Sequence, residues 1–402
     1  SRERVKEVLS SPKLENWTHA FFELYAALPL PQRQARAFAY TLVNTPIYLL
    51  PDEQLVGQIY QKVPGAGAID AGGWNLEEYG HPELAAYSHA ARRVAAELPE
   101  LCALSGAGDS WVTPLGCSPG HVGWHWDWIV RDGVSSMLAR IEAAAPEADA
   151  KGRETLDAMR ICLEAVLTWN DHHVDALQAQ LEGTTEPAKR AAIETKIATC
   201  QRVPRHGART FREAVQAYHF SYLATIFENP HGGNGPGRLD FHLWPYLKRD
   251  LAEGIETLDS ARELVCELFV RVHERLSPNS DGWVETIVVG GCDREGRCAA
   301  SPLSRIMVEA IAALGITHPS VYIRIPEDAS EDILTLAVQD LVHGGNRAQV
   351  VSDSAIIAAM TKDGHMPVED ARMFMCGGCM EISPHGMNSD LLFTGFFNTC
   401  KV

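Results

Sequence analysis

The sequence predicts an α/β fold in which a layer or barrel of parallel strands follows a mainly helical first part. Three observations carry that expectation. Up to about residue 230, apolar residues recur at helical spacing and are interrupted by proline-marked turns. After residue 283, short β-rich runs alternate with amphipathic stretches long enough to return the chain parallel to its preceding strand. A cluster of thiols, glycines and a carboxylate, Cys376-Gly-Gly-Cys-Met-Glu381, then sits at the C-terminal end of the last such strand, where parallel sheets place their chemistry.

In the first part, Pro29 and Pro31 interrupt the stretch from Phe21 to Leu30, and Pro46 and Pro51 bracket Ile47-Tyr-Leu-Leu50, which fits short helices joined by turns. Residues 62–80 are glycine-rich and read as a long loop; residues 105–127, rich in Gly, Pro and Trp, read as another. Between 151 and 198 the chain is charged and alanine-rich, which predicts two outer helices. Thr210-Phe-Arg-Glu213 is read as a capping box ahead of a stripe from Phe211 through Tyr218 to Ile226, and Ser260-Ala-Arg-Glu263 as a second ahead of Leu264, Leu268 and Val272.

In the second part, Val284 to Val289 is a strand ending in Gly290-Gly291. Ser301 caps a helix with Pro302 in its first turn, Leu303, Ile306, Met307, Ala310, Ile311 and Leu314 on one face, and Gly315 as its stop. Val321 to Ile325 is the next strand, Ser330 opens a helix to His343, and Gln349-Val-Val351 is a third strand. Asp353 is read as the cap of a helix ending at Gly364, and Met373-Phe-Met375 as the strand that leads into the cluster.

Composition narrows the function. With 46% hydrophobic and 22% charged residues the chain is an ordinary globular one, and a net charge of −17 without clustered Lys and Arg argues against a nucleic-acid partner. No apolar run approaches the roughly 18 residues of a membrane span and no signal peptide opens the chain, so a cytoplasmic protein with no membrane partner is expected. The ten cysteines are scattered rather than spaced as a disulfide scaffold.

Four chemistries compete for Cys376 and Cys379. Structural zinc needs a second ligand pair, and no other C-x-x-C exists in the sequence. A redox pair needs a helix N-terminus, which Pro384 and Gly386 disfavour. Both thiols can simply be buried in a turn. A radical thiol at Cys379 can instead take hydrogen from a substrate carbon while Glu381 moves a proton; such a thiol needs a thin loop, which Gly377 and Gly378 permit, and a dry site.

The neighbouring motifs bear on that choice. Gly378-Cys-Met-Glu381 resembles the thiyl-loop signature of the glycyl radical enzymes, the pyruvate formate-lyase and glycerol or diol dehydratase superfamily. Matching segments follow in order: Ala208 to Ala214 with Gln216, Gly235-Pro-Gly-Arg-Leu-Asp240, Gly290-Gly-Cys-Asp-Arg-Glu-Gly296, Gly345 to Asp353, Val368 to Arg372 and Phe397-Asn398, with Leu50 to Gly57 and Gly120-His121 upstream. The resemblance covers essentially the whole chain, as a single domain with a mainly helical part (1–230) and a half-barrel (231–402) carrying the loop at 376–386. It implies about half of a ten-stranded α/β barrel, and a lyase acting on a small molecule as a dehydratase, a C–C, C–N or C–S cleaving enzyme or an arylacetate decarboxylase. Cys379 is implied as the thiyl residue and Glu381 as its acid/base partner. His121 is implied as a substrate-pocket histidine; beside that, the residues themselves offer His231 and Asn234, flanking Gly232-Gly233, and Trp124 as further substrate contacts. The cofactor implied is a glycyl radical installed by a radical-SAM activating enzyme, with no bound metal; a homodimer is allowed.

Departures qualify the resemblance. His125 and Asp127 near His121 make an H-x₃-H with a carboxylate, but Trp124, Trp126 and Trp128 interleave and favour packing or an aromatic substrate wall. Polyol-dehydrating members place a His-Ser pair where this sequence has Gly232-Gly233, which speaks against glycerol or propanediol as substrate. Residues 1–402 contain no match to the family's glycine loop, so the expectation is a piece of a longer enzyme, inactive by itself. The alternatives are a non-catalytic relative serving as a scaffold, and a Cys-based metal or redox protein.

Overall fold

A computed structural model of the protein describes residues 20–49, 52–57, 112–121, 123–228, 235–274, 285–316, 318–344, 349–377, 381–387 and 391–397. The glycine-rich stretch at 62–80 lies outside them.

The helical part is built around one helix. Helices α1 (Leu30–Val43), α2 (Trp126–Asp132), α3 (Val134–Ala144), α4 (Ala150–Glu182) and α5 (Pro187–Arg202) precede α6 (Phe211–Glu228), and α7 (Leu239–Ala252) and α8 (Leu258–Glu274) follow it. The two outer helices expected between 151 and 198 are α4 and α5, which pack on each other while α1 lies along α4. The sequence marked a single apolar stripe on α6, yet Ala217, Phe220 and Leu223 on its other faces are buried as well. It touches α1, α2, α5, α7 and α8, and a helix covered on all sides is apolar all round.

Polar side chains of α6 and α8 tie down residues 52–57. Gln216 exchanges two 2.8 Å hydrogen bonds with the backbone of Val56, Glu267 accepts the N–H groups of Gln54 and Leu55, and His219 bonds the carbonyl of Gly57 at 2.8 Å. These side chains stand where a neighbouring strand would otherwise satisfy a buried backbone.

Strands β2 (Thr286–Gly290), β3 (Ser320–Ile325) and β4 (Gln349–Ser352) form a parallel sheet in the order β2-β3-β4. The crossovers are α9 (Pro302–Leu314) and α10 (Glu331–His343); α11 (Asp353–Thr361) and the single turn α12 (Val368–Ala371) follow β4. The α9 cap is as the sequence predicts, with a reciprocal Ser301/Ser304 box and Gly315 left-handed at φ 60°.

Four local expectations are corrected. Residues 112–121, read as loop, form β1 (Val112–His121), which pairs antiparallel with β7 (Leu391–Phe397) through two irregularities. Pro114 and Pro119 mask it, because a strand with one partner among the described residues tolerates residues that donate no hydrogen bond. Helix α8 starts one turn earlier than Ser260: Thr257 and Ser260 bond each other's N–H, so Thr257 is the cap. The cap of α11 is Ser352, and Asp353 points into the core instead. At α6, Thr210 Oγ1 accepts the N–H of Glu213, but the Glu213 carboxylate takes the N–H of Arg209, not that of Thr210.

Candidate active site

The expected strand before the cysteine cluster is β5 (Phe374–Cys376), but it does not extend the parallel sheet. It pairs antiparallel with β6 (Ile382–Pro384) in the register Phe374↔Pro384, Met375↔Ser383, Cys376↔Ile382. The resulting hairpin closes where the N–H of Gly377 donates to the carbonyl of Glu381 at 2.8 Å. Met375 and Cys376 pack with Val288, Tyr322 and Val351 of β2, β3 and β4, so the hairpin lies against one face of the sheet.

Arg324 explains why β5 stays out of the ladder. Its guanidinium is fully buried, pairs with Asp353 at 2.7 and 2.9 Å, and donates to the carbonyls of Arg372 and Phe374 at 2.9 and 2.8 Å. It thereby takes the Phe374 carbonyl, an acceptor of β5 that a parallel neighbour would have used, and its guanidinium carbon lies 3.7 Å from the Phe374 ring centre. Asp353 also accepts the N–H of Cys292.

A second buried pair holds the turn after β2. Arg238 donates to the carbonyls of Gly290 and Cys292, both at 2.8 Å, and Asp240 accepts the N–H of Gly290 and the hydroxyl of Ser304. Burial raises the Asp240 carboxyl, with Arg238, Ser304 and backbone N–H groups opposing. Three motifs quoted from the sequence, at 235–240, 290–296 and 345–353, therefore meet in one hydrogen-bonded network beneath the hairpin.

The hairpin is also approached from above. Gly235 lies so close that a Cβ there would fall 2.3 Å from the carbonyl oxygen of Gly377, and one on Gly123 would fall 2.3 Å from Met375 Cε. Burial pushes the Cys376 thiol up to about 12, with Arg324 opposing and Glu381 adding, which makes it an inert core thiol as expected.

Beside the hairpin, His125 Nδ1 is 3.0 Å from Asp127 Oδ1, and His385, in the turn after β6, has Nε2 3.5 Å from the same oxygen. Burial alone would raise the Asp127 carboxyl, but the close approach of His385 and the neighbouring His242 hold it well below the usual carboxylate range. Burial, with His385 adding, lowers His242 to about 3.

Comparison with known proteins bears on what this arrangement is. The family described as pyruvate formate lyase-like matches residues 1–402. The chain belongs to that family. Trans-4-hydroxy-L-proline dehydratase of Clostridioides difficile is 26% identical over 303 residues, covering 71% of this chain and 38% of that protein. Isethionate sulfite-lyase of Nitratidesulfovibrio vulgaris is 26% identical over 263 residues, 63% of this chain and 32% of that one. The glycerol-bound B12-independent glycerol dehydratase of Clostridium butyricum superposes with a TM-score of 0.79 at 20% identity, over 96% of this chain and 55% of that one. This pyruvate formate lyase-like chain thus spans about a third of its curated relatives and about half of the solved structure, and its fold is part of the glycyl radical enzyme α/β barrel.

Within that family setting, the structure places the expected residues unevenly. Glu381 closes the hairpin, while Cys379, His231 and Asn234 lie outside the described residues. The backbone of His121 ends β1 opposite Leu391, two residues before the Gly123 contact with Met375. Trp124 donates to Ser221 at 2.6 Å, stacks beside Tyr218 and Tyr222, and with Trp128 lines an apolar cavity of about 1330 Å³ between α1, α3, α4 and α6. Among the described residues, none of the hairpin lines that cavity.

Sequence reasoning missed Arg324, Asp353, His242 and His385 as site residues. The signal for Arg324 was a lone charge inside the apolar run Val321 to Ile325.

Proposed function

We propose that the chain carries the thiyl loop of a glycyl radical lyase, a dehydratase or a C–C, C–N or C–S cleaving enzyme, with Cys379 as the hydrogen-abstracting thiol and Glu381 as its acid/base partner. The observation that supports this reading most is the closure of the hairpin: the N–H of Gly377 donates to the carbonyl of Glu381, the residues on either side of Cys379 in sequence, and Gly377 lies against Gly235 without room for a Cβ. A loop that thin, with an inert Cys376 on one side and a carboxylate on the other, suits a thiol that must meet both a substrate and a radical donor.

The glycyl radical, installed by a radical-SAM activating enzyme, would supply the one-electron oxidation of the Cys379 thiol. The residues of this chain do the rest. The Cys379 sulfur takes a hydrogen atom from a substrate carbon, Glu381 transfers a proton as the neighbouring leaving group departs, and the same thiol returns the hydrogen. His121, near the Gly123 contact with β5, binds the substrate, with His231, Asn234 and Trp124 as further contacts. Relatives that eliminate water from hydroxyproline or sulfite from isethionate support a small, polar-substituted substrate. Oxygen quenches such radicals, so the reading includes an anaerobic, cytoplasmic setting.

The test uses the protein encoded by the full reading frame, activated anaerobically by its radical-SAM partner. Cys379→Ser is expected to abolish turnover while leaving the glycyl radical signal in electron paramagnetic resonance intact. Residual turnover in that variant refutes the assignment.

A further inference from the structure

Three side chains beside the hairpin have no part in the proposed radical chemistry. His125 and Asp127 stand at the start of α2, and His385 sits four residues after Glu381. One donor atom of each, an imidazole nitrogen or a carboxylate oxygen, lies within 4.8 Å of the other two. The closer pairs are 3.0 and 3.5 Å apart. Ligands about 2.0–2.1 Å from a first-row divalent ion stand roughly 3.0–3.4 Å from one another, so the two closer pairs already have ligand spacing and the His125–His385 pair, within 4.8 Å, closes on the ion.

The second observation is the state of His385. It is 5% exposed, and neither ring nitrogen has a hydrogen-bond partner: its approach to Asp127 lacks hydrogen-bond geometry. A buried imidazole with both nitrogens unsatisfied is costly, and coordination of Nε2 would remove part of that cost. His125 is held flat against Trp128, ring centres 4.0 Å apart, so its Nδ1 is aimed before any ion arrives.

Access comes from the opposite side. Asp127 lines a cavity of about 560 Å³ whose wall includes Arg131, His242, Tyr246, Asp293 and Cys298. Arg131 is engaged by Asp132, which leaves the Asp127 carboxylate as the ligand facing that space. His242 carries another buried nitrogen without a partner, and its ring lies 4.9 Å from that of His385, within reach of a water on the ion.

We propose that His125, Asp127 and His385 form a three-ligand site for a divalent first-row transition ion, open toward the cavity beside His242. Two imidazoles and one carboxylate suit zinc or iron(II) rather than calcium or magnesium. The ion ties the exit of the hairpin to the start of α2.

The test is metal binding by the full chain, independent of turnover, so its failure and that of the radical assignment are distinguishable. Chain stripped with a chelator and titrated with zinc chloride in a calorimeter is expected to bind one equivalent and to melt at higher temperature when loaded. Cobalt(II) is expected to give d–d bands without a thiolate charge-transfer band. His385→Gln and Asp127→Asn each lower zinc affinity at least about tenfold and abolish the melting shift. His125→Gln, at a part-exposed position, gives the same readout should either of those fail to fold. No zinc equivalent in the wild-type chain, unchanged affinity in His125→Gln, or a thiolate band with cobalt overturns the proposal.

Discussion

Arg324 shows how one side chain can replace a strand. Its pairing with Asp353 and its bond to the Phe374 carbonyl of β5 are made out of contact with water, so each group depends on the others. Arg324→Met leaves the Asp353 carboxylate buried and unpaired, with an expected loss of roughly 3–5 kcal/mol in urea unfolding. Adding Asp353→Leu recovers much of it, because the uncompensated charge is then gone. The sequence offered both residues and misassigned one: Asp353 looked like a helix cap because Ser352-Asp353 precedes an apolar run, and either residue can serve there. Only the position of Arg324, one crossover away, decides which of the two turns inward.

The elements themselves were legible where their signals are local. The Ser301 box, the Gly315 stop and the β-branched runs of β2 and β3 are written in contiguous residues, and the structure places them as read. The β5–β6 hairpin and the β1–β7 ribbon were not legible, because short strands with prolines and glycines are specified by distant partners. Gly235 is such a partner for the hairpin. In Gly235→Ala the new methyl meets the carbonyls of Gly377 and Cys376, backbone that cannot rotate away. The hairpin is expected to shift, with a loss of roughly 1–3 kcal/mol and faster labelling of the buried Cys376 by a thiol reagent. Gly183→Ala, where the nearest atom would be 3.8 Å away, is the control and should stay within about 0.5 kcal/mol.

Buried histidines on the central helix and on the neighbour that covers it contribute to the acid limit of the whole molecule. His219 on α6 and His173 on α4 are both buried, and burial lowers each to about 4, against hydrogen bonds to Gly57 and Trp169 carbonyls that raise it. The unfolded chain protonates both near their ordinary value of about 6.5, whereas the folded chain resists. Stability is therefore full above about pH 6.5 and falls as pH drops toward 4, by roughly a few kcal/mol for the two together. Urea midpoints across that window check it, and His219→Gln should flatten the dependence. For the site as a whole, the loop motif led to the family, while the histidine cluster stayed hidden because His385 and His125 are distant in sequence and meet only once the hairpin is docked on α2.

The ribbon of β1 and β7 sets an order for biosynthesis. Val112 to His121 is made first, and its described partner, Leu391 to Phe397, emerges some 270 residues later. At a ribosomal pace of about 5–20 residues per second that wait is roughly 15–50 s. During that interval the earlier strand lacks its partner among the described residues, so β1 is a segment that a chaperone has reason to cover.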